Sequence, residues 1–398
     1  MMTENKILTS LFSASFVFYY LSIFVKSTNL SYLSMFSSGS FAKILVILSV
    51  GLLLLKVMLA NTYSVKHVVT IVIGVMVGAI IAFKSGQHSF FYIVMFTLFS
   101  DRIDIYYFLK TFIWISATSL FILLVMSKFG IIYDFEYFRT DWASGLIKSR
   151  YSLGDLYPTS FSSRLTFLIA AVVFVKRFDL NYMVSVLLSA LVIYVYLETD
   201  SRVDLVVGLL LIVIGTFGAQ LEKTRLLNNR FWGLIPFIIA TIMLILVLLY
   251  QKNPGPLLKL DSILSSRIAW SAIGFNRYNF HTLFGQKVIM SGAGGLENSS
   301  NYGTGQNNDY FFIDSSYMNI LLNYGVLFAY GVYCVYFVAA NKFREVYKNN
   351  DFGILIMILS IQWLINQYIV ETGMQPFFIV AVSVLMSKFY EGRRNEII

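Results

Sequence analysis

Long apolar runs recur from one end of this chain to the other, most of them of roughly 17 to 25 residues, the length that carries a helix across about 30 Å of hydrocarbon, with the fourth and last shorter. No other feature restricts the fold as severely. In lipid every backbone N–H and C=O must find its partner within the protein, and an apolar run of this length satisfies them as a helix. The runs fall at about 7–25, 41–60, 68–83, 88–101, 109–128, 159–176, 181–198, 204–220, 232–250, 315–340, 353–370 and 376–388. An all-α polytopic membrane protein with about twelve transmembrane helices is expected, as one integral membrane domain over 1–398. Composition agrees, because 58% hydrophobic against 13% charged residues is too much apolar surface for an ordinary water-soluble domain.

Lys6 precedes the first run, which is too long and too aromatic for a cleaved signal peptide and reads as the first span. Cys334 is the sole cysteine and lies in an apolar run, so the sequence offers neither an intramolecular disulfide nor a cysteine metal cluster. The formal charge is +9. Its basic residues stand at helix ends and in loops, which points to lipid headgroups, with no nucleic acid partner expected.

Lysine and arginine in the short loops set the orientation. With the N-terminus cytoplasmic, the inner side collects fifteen of them, from Lys6, Lys66 and Arg102 to Arg393 and Arg394, against Lys26, Lys84 and Arg202 outside. Both termini are therefore expected in the cytoplasm. Two long outer loops, about 129–158 and 251–314, are nonetheless basic, carrying among others Lys148, Arg150, Lys259, Arg267 and Lys287. Long loops translocate despite charge, and an anionic ligand at the outer leaflet would give these cations a purpose. Within the second loop, residues 291–309 are rich in Gly, Ser and Asn and include an acceptor triplet for glycosylation at Asn298. That stretch reads as a lid or as a plain connector.

Chemistry-bearing residues gather at the outer ends of the runs. Arg150, Arg202 and Arg267 each stand where a helix meets the outer interface, a depth at which a guanidinium reaches phosphates. Arginine suits a diphosphate because its planar fork donates two parallel hydrogen bonds and keeps its charge. Local pairing is the competing reading, since Arg202 lies between Asp200 and Asp204. Asp314 precedes the tenth run and serves either as an ordinary N-cap or as a site residue. Behind it Ser315, Asn319 and Asn323 recur every four residues, a polar stripe that should face the bundle. The eleventh run answers with Gln362 and Asn366, and with Gln367 and Glu371, at the same spacing.

These residues resemble a known set. Arg150 to Gly154 followed by Tyr157-Pro158, then Ser201-Arg202, then Arg267 to Trp270 ahead of Phe284-Gly285, then Asp314, Tyr317, Leu321 and Gly325 are similar in order and spacing to motifs of the Wzy-type bacterial polysaccharide polymerases. They are more distantly similar to motifs of the O-antigen ligases. The resemblance covers about 145–335. It implies a glycosyltransferase-C-like fold and an inverting, metal-independent transfer at the outer face of the bacterial cytoplasmic membrane. The partners it implies are an undecaprenyl-diphosphate-linked oligosaccharide, membrane lipids and a chain-length-regulating membrane protein; no cofactor is implied. Ligases typically carry histidine where this chain has Asp314, so the aspartate leans towards polymerase.

The chemistry fits the residue types independently. A carboxylate that takes the proton of a sugar hydroxyl as the bond forms contributes on the order of a hundred- to ten-thousandfold. Arginines stabilise the charge that develops on the leaving diphosphate. Asp314 is thus the expected base and Arg150, Arg202 and Arg267 the expected diphosphate ligands, with Tyr157, Tyr317 and Asn319 in support. His281 is an alternative base. A metal-dependent transferase would draw on the acid pairs Asp134 with Glu136 or Glu198 with Asp200. A lipid-linked oligosaccharide flippase or a membrane scaffold are the readings from other classes, and no internal repeat supports a transporter.

Overall fold

The computed structural model describes residues 2–60, 63–140, 147–221, 229–292 and 311–386. The glycosylation triplet at Asn298 and nearly all of the glycine- and serine-rich stretch lie outside the described residues. Helices of ten residues or more are, in order, α1 Met2–Lys26, α2 Ser40–Leu59, α3 Val65–Ser85, α4 Ser89–Leu98, α5 Ile105–Lys128, α6 Pro158–Val175 and α7 Tyr182–Thr199. They continue as α8 Arg202–Leu221, α9 Ile235–Lys252, α10 Arg267–Arg277, α11 Ser316–Tyr347, α12 Asp351–Ile365 and α13 Phe377–Met386. Every apolar run read from the sequence overlaps one of these. Eight helices among the described residues are long and apolar enough to cross a membrane, while α4, α12 and α13 are shorter apolar helices. The chain is a polytopic α-helical membrane protein.

Burial sorts the helices into inner and outer ones. α6 is almost entirely buried, and its Ser160, Ser162, Ser163, Ala170 and Ala171 are the small residues that let neighbouring helices approach closely where lipid supplies no hydrophobic drive. It packs against α5, α7 and α8. α12 and α13 are likewise enclosed. By contrast α2, α3 and α7 present bare apolar side chains such as Ile47, Met58, Met76 and Leu197, the surface that hydrocarbon would cover. A hydrophobic exterior of this kind marks lipid as the solvent.

Three expectations change at the two long loops and the last helices. The first long loop is not structureless: strands β1 Glu136–Thr140 and β2 Ile147–Tyr151 form an antiparallel hairpin with Tyr137 opposite Arg150. The second contains a six-residue helical segment, Leu258–Ile263, and then α10. The eleventh run stops being helical at Ile365, and residues 366–376 continue as irregular backbone. Gln367 and Glu371 therefore leave the helix that carries Gln362.

Contacts at the two ends show which turns share a face. At one end Asn29 Nδ2 donates to the Tyr133 carbonyl at 2.8 Å, Lys128 pairs with Glu198 at 3.0 Å and Arg150 Nε donates to the Thr199 carbonyl at 2.7 Å. At the other, Lys56 Nζ reaches the carbonyls of Phe99 and Asp101 at 2.7 and 2.8 Å and the Asp101 carboxylate at 2.6 Å. There too Asn350 Nδ2 donates to the Asn229 carbonyl at 2.8 Å. The ammonium of Lys56, fully buried, thus has three acceptors for its three protons, which is what a charge out of water requires.

Candidate functional site

α11 is not one helix. Gly325 has φ 86° and ψ 169°, a conformation open only to glycine, and it divides a nine-residue half, 316–324, from the long remainder. Such a break inside a membrane bundle frees backbone groups that something else must satisfy. The loop over 282–286 does so: the Val326 and Leu327 N–H groups donate to the carbonyls of Thr282 and Leu283 at 2.9 and 3.3 Å, and Gln286 N–H donates to the Asn323 carbonyl at 3.2 Å. Gly285, at φ +79°, lies so close that a Cβ there would overlap the Asn323 carbonyl. Two glycines singled out by the sequence resemblance are therefore the two sides of one junction.

The short half of α11 positions Asp314. Its N-cap is Ser315, whose side chain makes no capping bond, so Asp314 is not the cap that one reading made it. Its Oδ2 instead lies 2.7 Å from Arg267 Nη2. Arg267 is held from its own side, because Asp261 accepts from the Ile268 and Ala269 N–H groups at 2.9 and 3.1 Å and caps the start of α10. Arg267 Nη1 meanwhile donates to the Ser265 carbonyl at 2.8 Å. α10 seats closely on this region because Gly274 has no side chain: a Cβ there would be 2.7 Å from Ile313 and 3.2 Å from Leu322. The side chain of Asp314 is 26% exposed and that of Arg267 17%, so both are reachable from outside. Packing around the Asp314 carboxyl pushes its pKa above the usual carboxylate range, against the pull of the Arg267 guanidinium.

Beside this pair a cavity of about 480 Å³ opens among the ends of α3, α4, α11 and the 366–376 segment. Its wall includes Gln87, Lys287, Asn319, Asn323, Gln367 and Glu371. Asn319 Nδ2 donates to the Ile313 carbonyl and to Gln367 Oε1, both at 3.0 Å, and Asn323 Nδ2 donates to Asn319 Oδ1 at 3.2 Å. The asparagine stripe does face the bundle, and it lines the cavity while Asn319 holds the carbonyl of Ile313, the residue before Asp314.

The remaining arginines sit elsewhere on the same end. Arg150, buried on β2, is fastened to the α7 terminus by its 2.7 Å bond to Thr199. Arg202 opens α8, is half-exposed, and lies 3.8 Å from Asp200. The described contacts thus join Arg267 to Asp314 and gather Arg150 and Arg202 at the α7–α8 turn. Asp204 does not answer Arg202; it turns inward and accepts from Ser201 at 2.7 Å, Gln362 at 2.7 Å and Ser163 at 3.2 Å. Ser163 accepts in turn from Asn366 at 3.0 Å, and Ser316 donates to the Asn366 carbonyl. A hydrogen-bonded chain so runs from the α7–α8 turn to the residue two past Asp314.

Ser316 also accepts from the Ile369 N–H at 3.2 Å, so this buried hydroxyl pins the irregular segment at two points. Ser316→Ala is expected to lower stability by about 1–3 kcal/mol, the cost of leaving buried backbone groups unmet. A detergent unfolding titration reads it, and an unchanged midpoint would place the segment's anchorage elsewhere.

The other expected site residues divide. Tyr157 stacks on Tyr137, and its hydroxyl abuts Gly292, beside the cavity-lining Phe312. Tyr317 is fully buried and donates to the Ser360 carbonyl at 2.9 Å, a packing role. His281 is exposed with its ring against Phe280. Of the acid pairs, Asp134 accepts from the Leu153 N–H at 2.7 Å and Glu198 pairs with Lys128. Cys334 is a free, exposed thiol. A buried pair at 2.8 Å joins Arg164 of α6 to Asp155 in the turn before it, with Arg164 also donating to Ser27 at 2.6 Å. Sequence reasoning passed over it, and an arginine and an aspartate nine residues apart on either side of a proline gave little signal.

No known protein family model, curated protein or solved structure matches this chain.

Proposed function

We propose that the protein is a polymerase of undecaprenyl-diphosphate-linked oligosaccharide repeat units, working at the outer face of the bacterial cytoplasmic membrane. In this reading the chain crosses twelve times with both termini inside, in a glycosyltransferase-C-like arrangement. One observation carries the reading: a partly exposed carboxylate, Asp314, is held 2.7 Å from Arg267, and the carbonyl of the residue before it is bonded to Asn319 in the wall of a 480 Å³ cavity. A base and an anion-binding group are already in contact where two lipid-borne substrates would meet.

The pair suggests an order of events. In the resting site Arg267 rests on Asp314. An arriving diphosphate competes for the guanidinium, whose fork binds phosphate bidentately. Drawn towards the phosphates, Arg267 leaves Asp314 in its packed surroundings with a raised proton affinity, suited to accept a proton from a sugar hydroxyl. That hydroxyl oxygen attacks the anomeric carbon of the donor, the bond to the diphosphate oxygen breaks, and the proton passes to Asp314. Arg267 stabilises the departing negative charge. Arg202, half-exposed at the far end of the hydrogen-bonded chain, would hold a second anionic headgroup, with the buried Arg150 fixing the turn beside it through Thr199.

Purified protein in lipid nanodiscs, given lipid-linked repeat units alone, is expected to produce a ladder of products that differ by one unit. Transfer of a single block to a different acceptor with no ladder would mark a ligase. Movement of intact substrate between leaflets without new bonds would mark a flippase, and either result would overturn the polymerase reading.

A further inference from the structure

The cavity beside Asp314 has a composition of its own, which the base and its arginine do not use. It is lined by side-chain amides, hydroxyls and two charges of opposite sign, Lys287 and Glu371, with the rings of Tyr324 and Tyr368 as flat apolar surface. We propose that this cavity is the chamber for the incoming acceptor saccharide, gripped through hydroxyl and amide hydrogen bonds by Glu371, Gln367 and Asn323. The assignment rests on the polymerase reading above and adds to it which substrate fills which space.

Four observations carry it. The volume, about 480 Å³, lies in the range of ligand sites that enclose most of a small molecule. Second, the wall holds hydrogen-bonding capacity left over after its internal bonds. Gln367 Oε1 is taken by Asn319 at 3.0 Å, which leaves its NH₂ group to donate. Asn323 donates through Nδ2 at 3.2 Å to Asn319, while its buried Oδ1 has no partner among the described residues. Third, Glu371 sits on the irregular 366–376 segment, where the Gly373 backbone N–H supports it, and a carboxylate accepts from adjacent sugar hydroxyls.

The fourth observation is electrostatic and separates the two substrates. One lysine and one glutamate in the wall leave the chamber with no net charge, and Glu371 would repel a diphosphate. Arginine stands outside it, at Asp314. A diphosphate therefore belongs with Arg267 and an uncharged, hydroxyl-rich sugar belongs in the cavity. Asn319 ties the two together, since it lines the cavity and holds the carbonyl of Ile313, the residue before Asp314, at 3.0 Å.

The test separates acceptor from donor. A fluorescent repeat unit on a short prenyl diphosphate serves as acceptor at varied concentration, with full-length lipid-linked donor held fixed, and the roles are then exchanged. Glu371→Gln is expected to raise the acceptor KM about tenfold, as does Gln367→Leu, each having lost a hydrogen bond that includes a charge or leaves a polar partner unmet. The donor KM stays within about twofold in both. Variants enter the comparison only with wild-type elution and melting, and two substitutions guard against one misfolded protein. If wild-type protein makes no ladder, the polymerase reading fails and the chamber assignment falls with it. If it makes a ladder and both variants keep the wild-type acceptor KM, or change the donor KM instead, the chamber assignment alone is overturned.

Discussion

On the proposed polymerase mechanism, Asp314→Asn protein, folded and purified, is expected to extend lipid-linked repeat units at least about a hundredfold more slowly than wild type. The substitution keeps the shape and an oxygen for Arg267, which now lies 2.7 Å from the carboxylate, so the loss isolates proton acceptance. A pH profile adds a second reading with a definite sign. The base works when ionised, and packing raises the pKa of Asp314 while Arg267 lowers it. Activity is thus lost as pH falls through a pKa above the ordinary aspartate range. Arg267→Met removes the group that favours the ionised form, so the acid limb moves to still higher pH, on top of a slower rate from weaker diphosphate binding. Arg267→Lys retains the charge and leaves the limb near its wild-type position, although it loses the bidentate fork. Wild-type elongation by the Asn variant, or an acid limb indifferent to Arg267→Met, would remove Asp314 from the base role.

The membrane architecture was open to reading because apolar runs of spanning length are a local signal, and each became a helix. The partnership of Arg267 with Asp314 was not, since 47 residues separate them and the contact depends on α10 seating against Ile313 and Leu322. The residue types were visible one by one; the geometry that pairs them is tertiary. Periodicity failed in an instructive way at Glu371. Four-residue spacing in an apolar run reads as one face of a helix, yet α12 ends at Ile365, and Gln367 and Glu371 reach the cavity from irregular backbone. Buried polar partners, here Ser316 and Asn319, supply the hydrogen bonds that lipid could not. The strand pair Glu136–Thr140 and Ile147–Tyr151 was illegible for another reason: EYFRT and IKSRY are short and largely polar, and carry no alternating apolar signal.

The break in α11 was hidden as well, because the run at 315–340 is continuously apolar enough to read as one span, and it leads to the largest expected effect on stability. Gly285→Ala is expected to cost about 2–4 kcal/mol, from a left-handed backbone that L-residues resist and from overlap with a backbone carbonyl that cannot rotate aside. At Gly285 φ is +79°, and the obstructing atom is the Asn323 oxygen. The loop has one escape, which is to lift off the junction. Doing so deprives the Val326 and Leu327 N–H groups of the Thr282 and Leu283 carbonyls, and a buried donor without an acceptor is penalised by a similar amount. Gly255→Ala provides the control: it too lies in the second long loop, but an added Cβ there meets nothing closer than 3.4 Å, so its effect should stay within about 0.5 kcal/mol. Unfolding titrations of the two variants in the same detergent give the difference directly. Hydrogen exchange localises it, with Val326 and Leu327 amides exchanging faster in Gly285→Ala and unchanged in Gly255→Ala. Equal midpoints for both variants, with those two amides still protected, would mean that the loop is not what completes the broken helix, and the support it gives the half-helix behind Asp314 would have to come from elsewhere in the bundle.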